Sequence, residues 1–236
     1  MKHQENMKEN RKRIQAIIGR TFEVIKNVYD NQREGNGGKG SKHEYCGSQS
    51  RIIFPRYSTK YRDGETRISE QELRFIFVEQ FNKYCQEEQW EAYYSVETPT
   101  EEKYIFSEDG KTVNPHKAEE NDEKGQSAMI DLCIHDKNFH RIALVEFKAL
   151  NPKEPAYAKD FCKLSNESFC KSNDEHERTC LTFFIMIVKN HDNGTISNVH
   201  DKIKTKDNAT EFYCYDLEKG EDISTEIKEY IPISSK

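Results

Sequence analysis

At 236 residues, with 34% apolar and 33% charged side chains, the chain can bury the core of one ample domain and leaves a heavily ionised surface. It has no apolar run near the ~18 residues that cross a membrane. The opening MKHQENMKENRKR lacks the apolar stretch of a secretory signal, and seven cysteines without a C-x-x-C pair suit a reducing compartment, so a cytoplasmic, membrane-free protein is expected. The net charge of −6 divides unevenly. Residues 1–63 hold 14 Lys and Arg against 7 Asp and Glu, while the remainder holds 22 against 35. A basic N-terminal quarter therefore precedes an acidic body, which suits either a solvated helix or contact with an anionic partner.

In chain order, Ile14, Ile18, Ile25 and Val28 recur at helical steps with Phe22 close by, predicting an amphipathic helix over 8–31. Its apolar stripe can cover the body or form the seam of a homodimer. REGNGGKGSKHEYCGSQSR then reads as a flexible loop. GNGGKGSK within it is a P-loop decoy, because Gly40-Ser41-Lys42 inverts the required Gly-Lys-Ser/Thr order and no strand precedes it. Residues 1–63 are thus read as a helix-and-loop extension, and 64–236 as the main domain.

Ser69 and Glu72 have capping-box spacing and open a second helix, with Leu73, Ile76, Phe77, Phe81 and Tyr84 as its stripe. A strand is expected over 91–98, a hairpin turning at Asp109-Gly110, and a polar loop from Asn114 to Ser127. Strands over 128–134 and 140–149 follow, then a helix from Ala156 to Glu167. The very apolar CLTFFIMIVKN (180–190) predicts a central strand, and EFYCYDL (211–217) one more. The expected fold class is α/β: a mixed central β-sheet flanked by helices, with an N-terminal helical extension. The helix between the third and fourth strands should provide a crossover to a parallel neighbour.

Two of these strands carry charge inside apolar runs. Strand periodicity puts Asp131 with Met129 and Cys133, and Ile142, Leu144, Glu146 and Lys148 together on one face of the next strand. Two converging carboxylates repel unless a cation lies between them or one keeps its proton. Mg2+ accepts such oxygen ligands, and a neighbouring lysine supplies a point cation beside phosphate.

Asp131, a 14-residue gap, then Glu146-Phe147-Lys148 resembles the PD-(D/E)xK signature of the restriction-endonuclease-like nucleases, over roughly residues 69–217. The proline that often precedes the aspartate is Ile130 here. An acid-x-Lys triplet alone is a weak signal, since it begins at Glu101, Asp109, Asp122, Glu146 and Glu226, but only the one at Glu146 ends an apolar strand. The resemblance implies a restriction-endonuclease-like core and a Mg2+- or Mn2+-dependent nuclease acting on nucleic acid, with DNA favoured over RNA. It implies that Asp131, Glu146 and the Phe147 carbonyl hold the metal and that Lys148 assists hydrolysis. Glu72, or failing that Glu79, would add the acid of the first core helix. Tyr157, Lys159 and Lys163 would contact phosphate. The alternative is a nucleic-acid- or protein-binding module that keeps this fold without turnover. Cys162, Cys170, His176 and Cys180 are too irregularly spaced for a structural zinc site, and His135 and His140 read as turn residues.

Overall fold

The computed structural model describes residues 2–34, 50–57, 65–105, 116–117, 125–149, 154–170, 178–191, 194, 197, 199–200 and 210–229. Helix α1 (Lys2–Glu34) leads into α2 (Glu70–Glu87), β1 (Tyr93–Ile105), β2 (His116–Lys117), β3 (Gln126–His135) and β4 (Arg141–Ala149). Then come α3 (Glu154–Glu167), the short pair β5 (Phe169–Cys170) and β6 (Arg178–Thr179), β7 (Leu181–Val188), β8 (Thr210–Asp216), β9 (Glu221–Asp222) and a single-turn helix α4 (Ser224–Lys228). Among the described residues the main sheet runs β2-β1-β3-β4-β7-β8-β9. β1, β3 and β4 are antiparallel neighbours, and β4-β7 and β7-β8 are parallel. The chain is an α/β fold built on a mixed sheet, with α3 spanning the crossover from β4 to β7 as its position in the sequence requires.

Alternation along the central strands creates two buried layers. Ala143, Val145 and Phe147 of β4 and Phe183, Ile185 and Ile187 of β7 face α1 and α2. Leu144 of β4 and Phe184, Met186 and Val188 of β7 face α3, where Phe161 stacks on Phe184 at 4.3 Å. Every residue of β7 is buried, the pattern of a strand covered on both faces. Ser69 opens α2 through a capping box: its backbone N–H donates to Glu72 Oε2 at 2.8 Å, and its hydroxyl meets the same oxygen.

The apolar stripe of α1 is used within the chain. Ile14, Ile17, Ile18 and Ile25 are fully buried against the α2 side of the sheet, so this face covers the body rather than remaining available as a dimer seam. Gln15 and Arg11 also reach Glu211 of β8, at 2.8 Å each. Residues 50–57 and 65–67, on either side of the expected boundary at 63, are joined by Tyr57 N–H to Glu65 O and Arg67 N–H to Pro55 O. Helix α1 and Phe54 thus belong to the same buried core as α2 and the central strands.

A second difference concerns β1. It continues from Tyr93 through Ile105 with a register shift between Pro99 and Lys103, where sequence reading ends a strand at 98 and begins a hairpin. The Glu167 carboxylate bridges this irregular stretch, accepting the Glu101 and Glu102 N–H groups and the Tyr104 hydroxyl at 2.9, 3.1 and 3.0 Å. A buried side chain 65 and 66 residues downstream of these two N–H groups supplies acceptors that the partner strand does not. The expected turn at Asp109-Gly110 lies outside the described residues, and β2 occupies part of the expected polar loop.

Candidate functional site

The site lies on the α3 side of the sheet, towards the end of β4. Glu146 and Lys148 point to that side because they alternate with Val145 and Phe147, whose side chains belong to the opposite layer. The paired register of β3 and β4 stops at Leu132–Val145. One residue further, Asp131 Oδ2 accepts the Phe147 N–H at 2.9 Å. A side-chain carboxylate therefore replaces a ladder bond and holds Asp131 beside the Glu146-Phe147 peptide.

α3 completes the cluster from above. Asp160 and Lys163 stand one turn apart on the same helical face. Lys163 Nζ donates to Glu146 Oε1 at 2.6 Å, lies 2.8 Å from Asp160 Oδ1, and donates to the Met129 carbonyl at 2.6 Å. Lys148 Nζ lies 2.8 Å from Asp160 Oδ2 and 3.3 Å from Glu70 Oε1, and donates to the Phe147 carbonyl at 3.0 Å. The result is a chain of alternating charge, Glu70–Lys148–Asp160–Lys163–Glu146, with Asp131 next to it. Glu146 is 1% exposed and Asp160 likewise, whereas Glu70 opens towards solvent at the N-terminus of α2.

Electrostatics follow from this count of three carboxylates and two ammoniums, with Asp131 as a fourth acid. Burial, then repulsion from Asp160 and Asp131, pushes the Glu146 carboxyl well above the ordinary range, although Lys163 acts in the other direction. Burial also raises Glu70, with Lys148 opposing and Asp131 adding to the shift. For Lys148 burial alone would favour the neutral amine. Asp160, with Glu70 and Asp131 beyond it, reverses that and keeps the ammonium above its usual range. Lys163 is raised in the same way by Glu146 and Asp160. Both lysines are firmly protonated, and the cluster is short of positive charge.

The structure brings Asp131, Glu146, Phe147 and Lys148 together. Glu72 stays with the helix cap and lies 3.7 Å from Arg67, while Glu79 pairs with Lys83 one turn along α2. The acid that α2 sends to the site is Glu70, at its first position. Lys163 is buried within the carboxylates rather than presented to solvent, and Lys159 is exposed on α3. The side chain of Tyr157 lies outside the described residues. Sequence reading missed Glu70 and Asp160. The signal for Asp160 was present: Asp160, Lys163, Leu164 and Glu167 follow i, i+3, i+4, i+7, and all four are buried.

His140 lies in the turn at the far end of the β3-β4 hairpin, whereas His135, expected there too, is the last residue of β3 and pairs with Tyr93 and Arg141. His135 contacts Ser95 Oγ at 2.9 Å and the Phe139 carbonyl at 3.2 Å, and His140 lies 3.4 Å from Asp136. Cys162 and Cys180 are buried in the α3-side core. Cys170 has its side chain outside the described residues and His176 lies outside them altogether.

Carboxylate and carbonyl oxygens are the ligands that a hard divalent ion takes. The uncompensated negative charge around Glu146 means that Asp131, Glu146 and the Phe147 carbonyl fit such an ion in chemistry and charge. Among the described residues no three His, Cys, Asp or Glu side chains already converge as a metal cage, and the Glu146 oxygen is held by Lys163. None of the helices described is long and apolar enough to cross a membrane. No protein-family model, curated protein or solved structure matches the chain.

Proposed function

We propose that the chain is a Mg2+- or Mn2+-dependent nuclease with a restriction-endonuclease-like core, hydrolysing phosphodiester bonds in nucleic acid, with DNA as its first substrate. The observation that carries this reading is the gathering of half-buried Asp131 with buried Glu146 and Lys148 around the backbone of Phe147, with an acid surplus that a divalent cation would neutralise. The succession α2, β1, β3, β4, α3, β7 supports the core assignment, since it sets the two acid-bearing strands side by side.

In this reading Asp131, Glu146 and the Phe147 carbonyl would hold the ion, and Glu70 takes the role of the helix acid. When bound, the ion supplies charge neutralisation at the phosphoryl group and lowers the pKa of a bound water. Lys148, kept protonated by Asp160, is a fixed cation and not a base; it opposes charge developing on a phosphoryl oxygen. Lys159, exposed on α3, would meet the nucleic-acid backbone.

The test incubates the protein with supercoiled plasmid, single-stranded DNA and RNA in Mg2+, Mn2+ or EDTA. Metal-dependent cleavage is expected, lowered at least ~100-fold by Asp131→Ala or Lys148→Ala. Cleavage that survives both substitutions would overturn the assignment. A second reading, a binding module without turnover, is favoured by one observation: Lys163 already occupies the Glu146 carboxylate. Metal-independent DNA binding without cleavage would select it.

A further inference from the structure

We propose that Lys163 is a built-in counter-cation of the acidic site, which a divalent ion must displace in order to bind; this rests on the metal-dependent reading above. The ammonium has three donors, and it meets three oxygens: Glu146 Oε1 at 2.6 Å, the Met129 carbonyl at 2.6 Å and Asp160 Oδ1 at 2.8 Å. Its side chain is 6% exposed and that of Glu146 is 1% exposed. This is a filled cation site made by a side chain of the same chain.

Lys163 and the divalent ion compete for the same charge. A metal ion binds carboxylate oxygen at about 2.0–2.6 Å, so an ion on Glu146 would stand within a few ångströms of the ammonium, in a buried site that screens the repulsion little. The two cations exclude each other at that oxygen. Without Lys163, buried Glu146 would face Asp160 and Asp131 with no cation at all. The lysine therefore keeps the metal-free site folded and sets a threshold against occupation by the ion alone. Lys148 also touches a proposed ligand, the Phe147 carbonyl at 3.0 Å, but its ion pairs run to Asp160 and Glu70, so the Glu146 carboxylate itself is left to Lys163.

The experiment titrates the full chain with Mn2+ and follows free Mn2+ by electron paramagnetic resonance, with no nucleic acid present. Lys163→Met should bind Mn2+ at least ~10-fold more tightly than the parent chain, and adding Asp131→Ala should abolish that gain. A second measurement needs no variant: acetic anhydride labelling read peptide by peptide should spare Lys163 without metal and modify it once Mn2+ is bound. Mn2+ binding with equal affinity to both chains, or without change in Lys163 labelling, overturns the proposal and leaves the metal site standing. Failure of both chains to bind Mn2+ overturns the metal reading and this proposal together.

Discussion

Asp160→Asn probes the buried charge chain where it is most connected. Asp160 has an ammonium 2.8 Å from each carboxylate oxygen. At an effective dielectric near 20, each attraction is worth about 6 kcal/mol before other terms. Withdrawing Asp160 from water offsets several kcal/mol, and its repulsion of Glu146 offsets more. Removing one partner of a buried ion pair costs about 3–5 kcal/mol, because the other charge is left uncompensated. Lys148 keeps Glu70 and Lys163 keeps Glu146, so the low end, about 3 kcal/mol, is expected. Urea unfolding followed by the fluorescence of Trp90 measures it: the midpoint should fall by roughly 1 M with an unchanged slope. The Asp160→Asn, Lys163→Met double variant should lose much less than the two single losses added together, since the stranded ammonium has gone. A loss below about 1 kcal/mol in the single variant, or additivity in the double, would refute the charge-chain account.

Glu70 and Glu72 should separate cleanly. Glu72→Ala is expected to lose about 1 kcal/mol of stability through the capping box, with Mn2+ affinity unchanged, whereas Glu70→Gln weakens Mn2+ binding severalfold; paramagnetic resonance and urea midpoints check both. Lys148 and Lys163 have folded pKa values raised above the unfolded one. Their stabilisation is therefore complete below about pH 10.4 and lost as pH climbs through the folded values. Urea midpoints from pH 9 to 12 should fall, and Lys148→Met should flatten that fall. Tyr215→Phe should be neutral or stabilising by up to about 1 kcal/mol, because Tyr215 Oη is buried with no hydrogen-bond partner among the described residues. A loss above about 1.5 kcal/mol would show that the hydroxyl has a partner after all.

The strands of the site were legible because their patterns are strong. β7 is apolar on both faces, and β4 is apolar from Ile142 until Glu146 and Lys148 interrupt it, so both read as strands and side-chain direction follows from the two-residue period. The helix contributions were harder to read. Glu72 carried a clear signal, but it was the signal of a cap, and the acid that reaches Lys148 is Glu70, two positions earlier. On a helix, two residues separate by about 200°, which puts one acid at the cap and the other towards Lys148. Lys163 is read from sequence as a phosphate contact because long charged side chains usually reach solvent; its burial depends on Glu146 and Asp160, which tertiary packing brings together. The joining of β1 into one strand was illegible for a related reason, since Glu167, which satisfies its irregular backbone, arrives from α3.

Stability alone is a poor account of this cluster. Well-packed apolar residues commonly serve a core as well as a buried ion pair or better, and the strands on either side are apolar along this same layer. A chain selected only for folding has no need for Glu146, Asp160 and two lysines between Leu144 and Leu164. Nor is the arrangement balanced, for a closed salt bridge would match its signs, while here the acids outnumber the ammoniums and Glu146 is driven towards holding a proton. Imbalance at one end of a sheet, next to an acid that opens to solvent, is what a site needs if it is to take up a cation from outside. A purely structural salt bridge therefore accounts for the contacts of Lys163 but not for the surplus of acid, and it is the surplus that gives the metal reading its weight.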